Sequence, residues 1–374
     1  MTDGTGKVLV YAGGFAPVGG VQTFIRNLVI TLRGRGTDVR LVCWGARSPL
    51  LADISRAGVP VIRRSWRWGC RFGWPDRFLL PLGRAALEAA DVVLFGHLQP
   101  RVQREVIRLK KLTGKPSAVL VTPYRPAEMW GADPPTEDVL NSFDVIVVQA
   151  EAFGQDLRHL GYRGQVRLLP YLPPECRPAA PLPPAQPLHV GFLGRLAPQK
   201  NLAYLLEAFA RLRSDTDAQL HLFGDGPERA RLARLASELG VAEHIRFHGL
   251  LRSDQVARAV DTCHLFAFSS TTEGQPLAAL EILARGRPVV GTPVGVFPDM
   301  LSGATLGRLA PLSDPRQFAQ AILSLYHSLL SGDLTPIKLQ QAYAARFPRE
   351  QVLNHYVKLI TDLAAPARVP AGAR

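Results

Sequence analysis

The chain alternates short, nearly continuous apolar runs with longer stretches whose apolar residues recur at helical spacing. In the first half the runs are KVLVYAG (7–13), DVRLVCW (38–44), VPVIR (59–63), DVVLFG (91–96), SAVLVT (117–122), DVIVVQA (144–150) and QVRLLP (165–170). In the second half they are LHVGFLG (188–194), AQLHLFG (218–224), HIRFHG (244–249), HLFAFSS (264–270) and RPVVGT (287–292). Runs with so little polar alternation predict strands covered on both faces, and so parallel sheets with helices on either side. Between them, Val21, Phe24, Ile25, Leu28 and Leu32 share one helical face, as do Leu202, Leu205, Leu206, Phe209 and Leu212. Further helices are predicted near 314–331, 335–346 and 349–364.

Residues 170–187, PYLPPECRPAAPLPPAQP, hold eight prolines. Proline lacks an N–H and fixes φ, so neither helix nor sheet continues there. The expected organisation is an α/β chain with two Rossmann-like, doubly wound parallel-sheet domains. The first spans 1–170, followed by a linker over 171–187 and a second domain over 188–345. A helix over 346–365 is expected to pack back towards the first domain, and the tail 366–374 to be disordered. In such sheets ligands bind at the carboxyl ends of the strands, here expected to face an inter-domain cleft.

Composition narrows the class. With 374 residues, 47% hydrophobic and 20% charged, both halves can bury a core, and global disorder is excluded. No apolar run is long enough to span a membrane, and MTDGTGKVLVYAGG has no signal-peptide pattern. Cys43, Cys70, Cys176 and Cys263 show no metal-binding spacing, so reduced thiols, a cytoplasmic location and no metal site are expected. The net charge of +13 favours anionic partners such as nucleotides, phosphorylated glycans or an acidic membrane face, although an Arg-rich composition alone gives the same sign. The excess concentrates in residues 61–111, with eleven Arg or Lys against four Asp or Glu.

Four segments carry candidate chemistry. Glu273-Gly274-Gln275-Pro276-Leu277 follows a strand and opens a helix that contains Glu281. Pro276 suits the first helical turn. Two carboxylates bracketing a helix start can accept hydrogen bonds from several ligand hydroxyls; a capping Glu and a surface Glu would look alike. Gly194-Arg195-Leu196-Ala197-Pro198-Gln199-Lys200-Asn201 follows the first strand of the second domain. Arg195 can clamp a phosphate and Lys200 can add a point charge at a helix start, against the alternative of a turn with two solvated cations. The segment between Gly13 and Gly20, including Gly19, lets a phosphate approach the backbone, or simply makes a tight turn. Gly224-Asp225-Gly226-Pro227 reads as a turn that lines a nucleotide. No GxGxxG with a ribose-binding acid is present, which disfavours a dehydrogenase.

Taken in order, FLGRLAPQKN, LHLFGDGPER, IRFHGLL and FSSTTEGQPLAALEILARGRPVVGTPVG resemble the family-four (group 1) retaining glycosyltransferases, nucleotide-sugar-dependent enzymes of GT-B fold. The N-terminal half resembles them more weakly, through its Gly-rich first turn. The resemblance implies that Arg195 and Lys200 hold the donor diphosphate and that Glu281 binds the nucleotide ribose. Glu273 would contact the donor sugar, together with the backbone of Gly274, Gln275, Pro276 and Leu277. Gly19 and Gly20 would approach the diphosphate, and Gly194, Gly224 and Leu250 would lie near the nucleotide. His97, at the end of DVVLFGH, would touch the donor sugar and complete a catalytic set of Arg195, Lys200, Glu273 and His97. The sequence departs from the pattern at Thr122-Pro123-Tyr124, Gln275, Val296 and Asp299.

The implied reaction moves a sugar from a nucleotide-diphosphate sugar to a hydroxyl of a glycan, glycolipid or small molecule with retention of the anomeric configuration. The cation pair can replace a divalent metal, so no cofactor and no metal are expected. Arg64, Trp66, Arg67, Trp68, Arg71 and Trp74 interleave cations and aromatics. That stretch is expected to bind an anionic or lipid-linked glycan acceptor or the inner membrane surface, unless it is a partly packed loop. Nucleic acid is not an expected partner. The competing readings are an inverting GT-B transferase with His97 as base, a nucleotide-sugar epimerase, and a silent binder of sugar nucleotides or nucleic acid.

Overall fold

The structure, a computed structural model, describes residues 6–14, 20–44, 48–64, 86, 88–96, 114–120, 136–149, 151–303 and 305–365. The chain divides into two compact units, Met1–Leu172 with Glu350–Arg374, and Pro173–Arg349.

The first unit alternates β1 (Val8–Gly14), α1 (Gly20–Gly34), β2 (Val39–Trp44), α2 (Pro49–Arg56), β3 (Val61–Arg64), β4 (Val92–Phe95), β5 (Ser117–Leu120), α3 (Glu137–Leu140), β6 (Val145–Val148), α4 (Glu151–His159) and β7 (Gln165–Leu168). These strands form one seven-stranded sheet in the order β3-β2-β1-β4-β5-β6-β7, every pairing parallel. All four residues of β4 and of β6 are buried, which is why those runs show no polar alternation. Helix α1 buries Phe24, Ile25, Leu28, Val29 and Leu32, four of the five expected positions together with Val29. The Phe24 ring lies 4.5 Å from Tyr171 and 5.9 Å from Tyr356. Tyr356 belongs to the terminal helix, Arg349–Ala364, which is counted with this unit from Glu350 onward.

The second unit contains β8 (Leu188–Leu193), α5 (Leu202–Asp215), β9 (Ala218–Phe223), α6 (Arg229–Glu238), β10 (Ile245–Gly249), α7 (Ser253–Asp261), β11 (Leu265–Phe268), α8 (Leu277–Ala284), β12 (Val289–Gly291), α9 (Phe297–Met300), β13 (Gly307–Leu309), α10 (Pro315–Leu330) and α11 (Pro336–Arg346). Its six-stranded parallel sheet runs β10-β9-β8-β11-β12-β13. The three-residue edge strand β13 has no apolar run to announce it, and only its pairing with β12 defines it. Side-chain caps start the last two helices of the unit. Asp314 accepts from the Arg316 N–H at 2.8 Å, and Thr335 accepts from the Lys338 N–H at 3.2 Å.

The proline-rich segment is neither helix nor strand, but it is held along its length. Proline cannot donate, yet its carbonyl and those of its neighbours accept. Arg287, fully buried, donates Nη1 to Ala180 O (3.2 Å), Nη2 to Pro181 O (2.7 Å) and Nε to Cys263 O (2.9 Å). Gln340 Nε2 donates to Arg177 O (2.6 Å), and the Tyr343 hydroxyl donates to Pro174 O (3.0 Å). Residues from Pro173 onward therefore belong to the second unit.

Candidate functional site

In the second sheet β8 has β9 on one side and β11 on the other, so the direction of winding reverses between β8 and β11. At such a switch point the loops leaving two adjacent strands diverge and open a ligand crevice at the carboxyl edge. The loop after β8 carries Arg195 and Lys200, and the loop after β11 carries Glu273.

Backbone bonds lace these loops together. Gly194 N–H donates to Phe223 O (2.9 Å), Leu196 N–H to Asp225 O (3.0 Å) and Gly224 N–H to Gly249 O (2.8 Å). Gly224 has φ +135°, and a Cβ there would stand 1.8 Å from the Gly194 carbonyl oxygen, so only glycine fits. On the other side, Thr271 N–H donates to Gln199 O (3.0 Å) and the Ser269 hydroxyl bonds the carbonyls of Lys200 and Asn201 (both 3.0 Å). Asn201, at φ +48°, takes the left-handed turn that ends the short helix Pro198–Lys200.

The result is a charged pair. Lys200 Nζ stands 2.5 Å from Glu273 Oε1, with side chains 19% and 7% exposed. The Ser270 hydroxyl donates to the same Oε1 at 2.8 Å. A carboxylate this buried requires such partners. Gly295, at φ +58°, supports it from the next loop; a Cβ there would lie 1.9 Å from the Glu273 carbonyl oxygen. Arg195 is exposed, and among the described residues no carboxylate pairs with it. Gln275, Pro276 and Leu277 are buried, and Gly274 is half-buried. Pro276 is the N-cap of α8, one place ahead of the first turn expected for it. Half-buried Glu281 lies within α8, eight residues beyond Glu273. Burial raises the Tyr343 hydroxyl well above its usual range; Glu281 adds to the rise and Arg349 opposes it. Leu250, next to Gly249, is 61% exposed.

The structure thus brings Gly194, Arg195, Lys200, Gly224, Leu250 and Glu273 to the carboxyl edge of one sheet, with Glu281 in the helix that leaves it. Gly20 opens α1 in the first unit and is exposed, and the backbone of Arg64 ends β3. Gly19, His97, Trp66, Arg67, Trp68, Arg71, Trp74 and the tail 366–374 lie outside the described residues.

Sequence reasoning missed two features. One is Ser270, the second partner of Glu273; its position three residues ahead in SSTTEG was the available signal. The other is a row of histidines crossing three strands diagonally. His248 Nε2 lies 3.0 Å from His221 Nδ1, and His221 Nε2 lies 2.9 Å from His189 Nδ1. The His189 backbone N–H donates to His264 Nδ1 at 3.0 Å. Burial, then His189, His248 and Arg246, lower His221 to about 4. Burial and His189 lower His264 to about 4, and His189 and His248 are lowered as well, mainly by burial.

Residues 187–328 match the family of Glycosyl transferases group 1, a span that contains Arg195, Lys200, Glu273 and Glu281. The lipopolysaccharide core biosynthesis glycosyltransferase LpsE of Rhizobium meliloti is 26% identical over 357 residues, covering 93% of this chain and 97% of that protein. The N-acetyl-alpha-D-glucosaminyl L-malate synthase of Bacillus anthracis is 29% identical over 165 residues, 44% of this chain, and the match spans less than half (42%) of its own length. Among solved structures, Anabaena Alr3699/HepE in complex with UDP and glucose superposes with a TM-score of 0.78 at 15% identity, covering 95% of this chain and 100% of that one. At that identity the likeness is one of fold. Residues 187–328 thus resemble the group 1 glycosyl transferases, and the chain shares the two-sheet fold of that solved structure.

Proposed function

We propose that the chain transfers a sugar from a nucleotide-diphosphate sugar to a hydroxyl of a glycan, glycolipid or small-molecule acceptor, retaining the anomeric configuration and needing no metal. The observation that carries this reading is the Lys200–Glu273 pair at the switch point, with exposed Arg195 in the same loop as Lys200. As the donor's glycosidic bond breaks, negative charge grows on the leaving diphosphate. Arg195 and Lys200 supply fixed positive potential there, which stabilises the transition state more than the bound donor. Lys200 has three N–H donors, so its bond to Glu273 leaves two for phosphate oxygens. Both bonds that Glu273 receives fall on Oε1, which leaves Oε2 for a sugar hydroxyl. Glu281 accepts from the ribose hydroxyls, and Leu250 lies against the nucleotide.

Retention is what the motif resemblance implies. In that route the acceptor hydroxyl attacks from the face the diphosphate leaves, and a diphosphate oxygen takes its proton. His97 would touch the donor sugar, while Gly19 and Gly20 would approach the diphosphate. Arg64, Trp66, Arg67, Trp68, Arg71 and Trp74 would meet an anionic or lipid-linked glycan at the cytoplasmic face of a membrane. The role that LpsE carries in its name, lipopolysaccharide core biosynthesis, favours that acceptor class. No helix among the described residues is long and apolar enough to cross a membrane. The test is product analysis by NMR in EDTA with a panel of nucleotide sugars. A product with the donor's anomeric configuration supports the reading. An inverted product, an epimerised donor or a strict metal requirement overturns the corresponding part.

A further inference from the structure

Gln149 is the residue that follows β6, at the carboxyl edge of the first sheet and two positions ahead of Glu151, which opens α4. It is 8% exposed, yet neither Nε2 nor Oε1 has a hydrogen-bond partner. An amide removed from water without partners is destabilising, and native chains rarely leave one so. The other buried side-chain atoms without partners, among the described residues, are Arg26 Nε, His264 Nε2 and Tyr326 OH. Arg26 still bonds Asn27 and Asp53 through its other nitrogens, and His264 Nδ1 accepts from His189. Tyr326 packs edge-on against His264, away from any carboxyl-edge loop. Gln149 combines a wholly idle donor–acceptor group with the edge of a parallel sheet where ligands bind.

The chemistry selects the ligand. One amide donates and accepts at once, which matches neighbouring hydroxyls of a sugar ring. Glu151, two residues on, puts negative charge in the first turn of α4 and opposes an anion there. Every described side chain assigned to the donor, Arg195, Lys200, Glu273 and Glu281 among them, lies in the second unit, so the sugar assigned to Gln149 in the first unit is the acceptor's. We infer that Gln149 is a specificity-determining residue that hydrogen-bonds the hydroxyls of the acceptor sugar, its idle amide being satisfied only in the complex. This inference rests on the transferase reading of the second unit.

The test uses the full chain and saturation-transfer NMR with methyl α-D-glucopyranoside, methyl α-D-galactopyranoside and methyl α-D-mannopyranoside, recorded with UDP present. Wild type is expected to bind at least one glycoside. Gln149→Met should weaken that binding roughly tenfold or more, the scale of one or two lost hydrogen bonds, while Glu273→Gln keeps it. Gln149→Met should also unfold at the wild-type temperature or above, because an apolar side chain of similar size replaces an unpaired amide. Absence of glycoside binding by wild type overturns the inference. So does binding that survives Gln149→Met, or that disappears in Glu273→Gln instead. A Gln149→Met variant that is less stable yet binds glycoside normally makes the amide structural and overturns it too. Failure of wild type to bind UDP would sink the transferase reading, and this inference with it, whereas UDP binding without Gln149-dependent glycoside binding sinks the inference alone.

Discussion

Lys200 and Glu273, seventy-three residues apart in sequence, meet at 2.5 Å across the switch point between β8 and β11. The pair fixes the ammonium where two diverging loops open the carboxyl edge. Both bonds that Glu273 receives fall on the same carboxylate oxygen.

Removing one member should therefore hurt more than removing both charges. Lys200→Met leaves Glu273, with a side chain 7% exposed, to Ser270 alone. We expect a loss of about 3 kcal/mol in urea unfolding, and a smaller loss for Lys200→Met combined with Glu273→Gln. In kinetics, Lys200→Met should lower kcat by about a hundredfold with a modest change in donor KM, since leaving-group charge peaks in the transition state. Equal losses in binding and turnover would contradict that role.

On the proposed reading Glu281 binds the ribose. Glu281→Ala should weaken UDP binding by roughly tenfold, about 1.4 kcal/mol, the scale of a lost hydrogen bond to a charged group. Isothermal titration calorimetry measures it directly. Unchanged UDP affinity would remove Glu281 from the ribose.

The histidine row makes stability depend on pH. In an unfolded chain histidine takes up a proton near pH 6.5, whereas His221 in the folded sheet does so only at about 4. Between those values the unfolded chain binds more protons, so stability falls as the pH drops from 6.5 towards 4, then levels off. The groups facing the row do not reverse the sign. Arg246 acts on His189, His221 and His248, and Arg287 acts on His264, both opposing protonation. Asp217 favours it only at His189, and the Pro183 and Pro184 carbonyls only at His264. His221 alone should account for about 3 kcal/mol across that window, since one proton taken up only by the unfolded chain is worth about 1.4 kcal/mol for every pH step of one. Urea unfolding at pH 7.5, 6 and 5 checks the slope, which His221→Phe should flatten. Equal slopes in the two proteins would refute the assignment.

Arg287 should prove the most sensitive position outside the site. Its guanidinium serves three backbone carbonyls, on Cys263, Ala180 and Pro181. Arg287→Met strands them in the interior and releases the proline-rich segment, at a cost of about 3 kcal/mol. Arg287→Lys should not rescue it, because a point charge cannot replace the planar fork. Limited proteolysis between 173 and 187 reports the release.

What was legible in the sequence was whatever sits in one continuous stretch. The strand runs, the Gly224 turn and the spacing from Glu273 to Glu281 are local, so pattern and chemistry suffice to find them. What depends on residues distant in sequence stayed hidden. The proline-rich segment reads as a bare linker until Arg287, Gln340 and Tyr343 supply donors for its carbonyls. The histidines sit singly in β8, β9, β10 and just ahead of β11, and only the diagonal of the sheet register joins them. Pro276 differs by one position, standing as the N-cap just ahead of α8 rather than as its first helical residue.

The most direct measurement of the central claim is thermal unfolding with a panel of nucleotide diphosphates and nucleotide sugars in EDTA. The account predicts that at least one nucleotide-diphosphate donor stabilises the protein, by about 2.7 kcal/mol at a hundredfold excess over its Kd. It also predicts that the shift vanishes in a variant carrying Arg195→Ala and Lys200→Ala together. Stabilisation that persists undiminished in that variant, or none from any nucleotide, would contradict it.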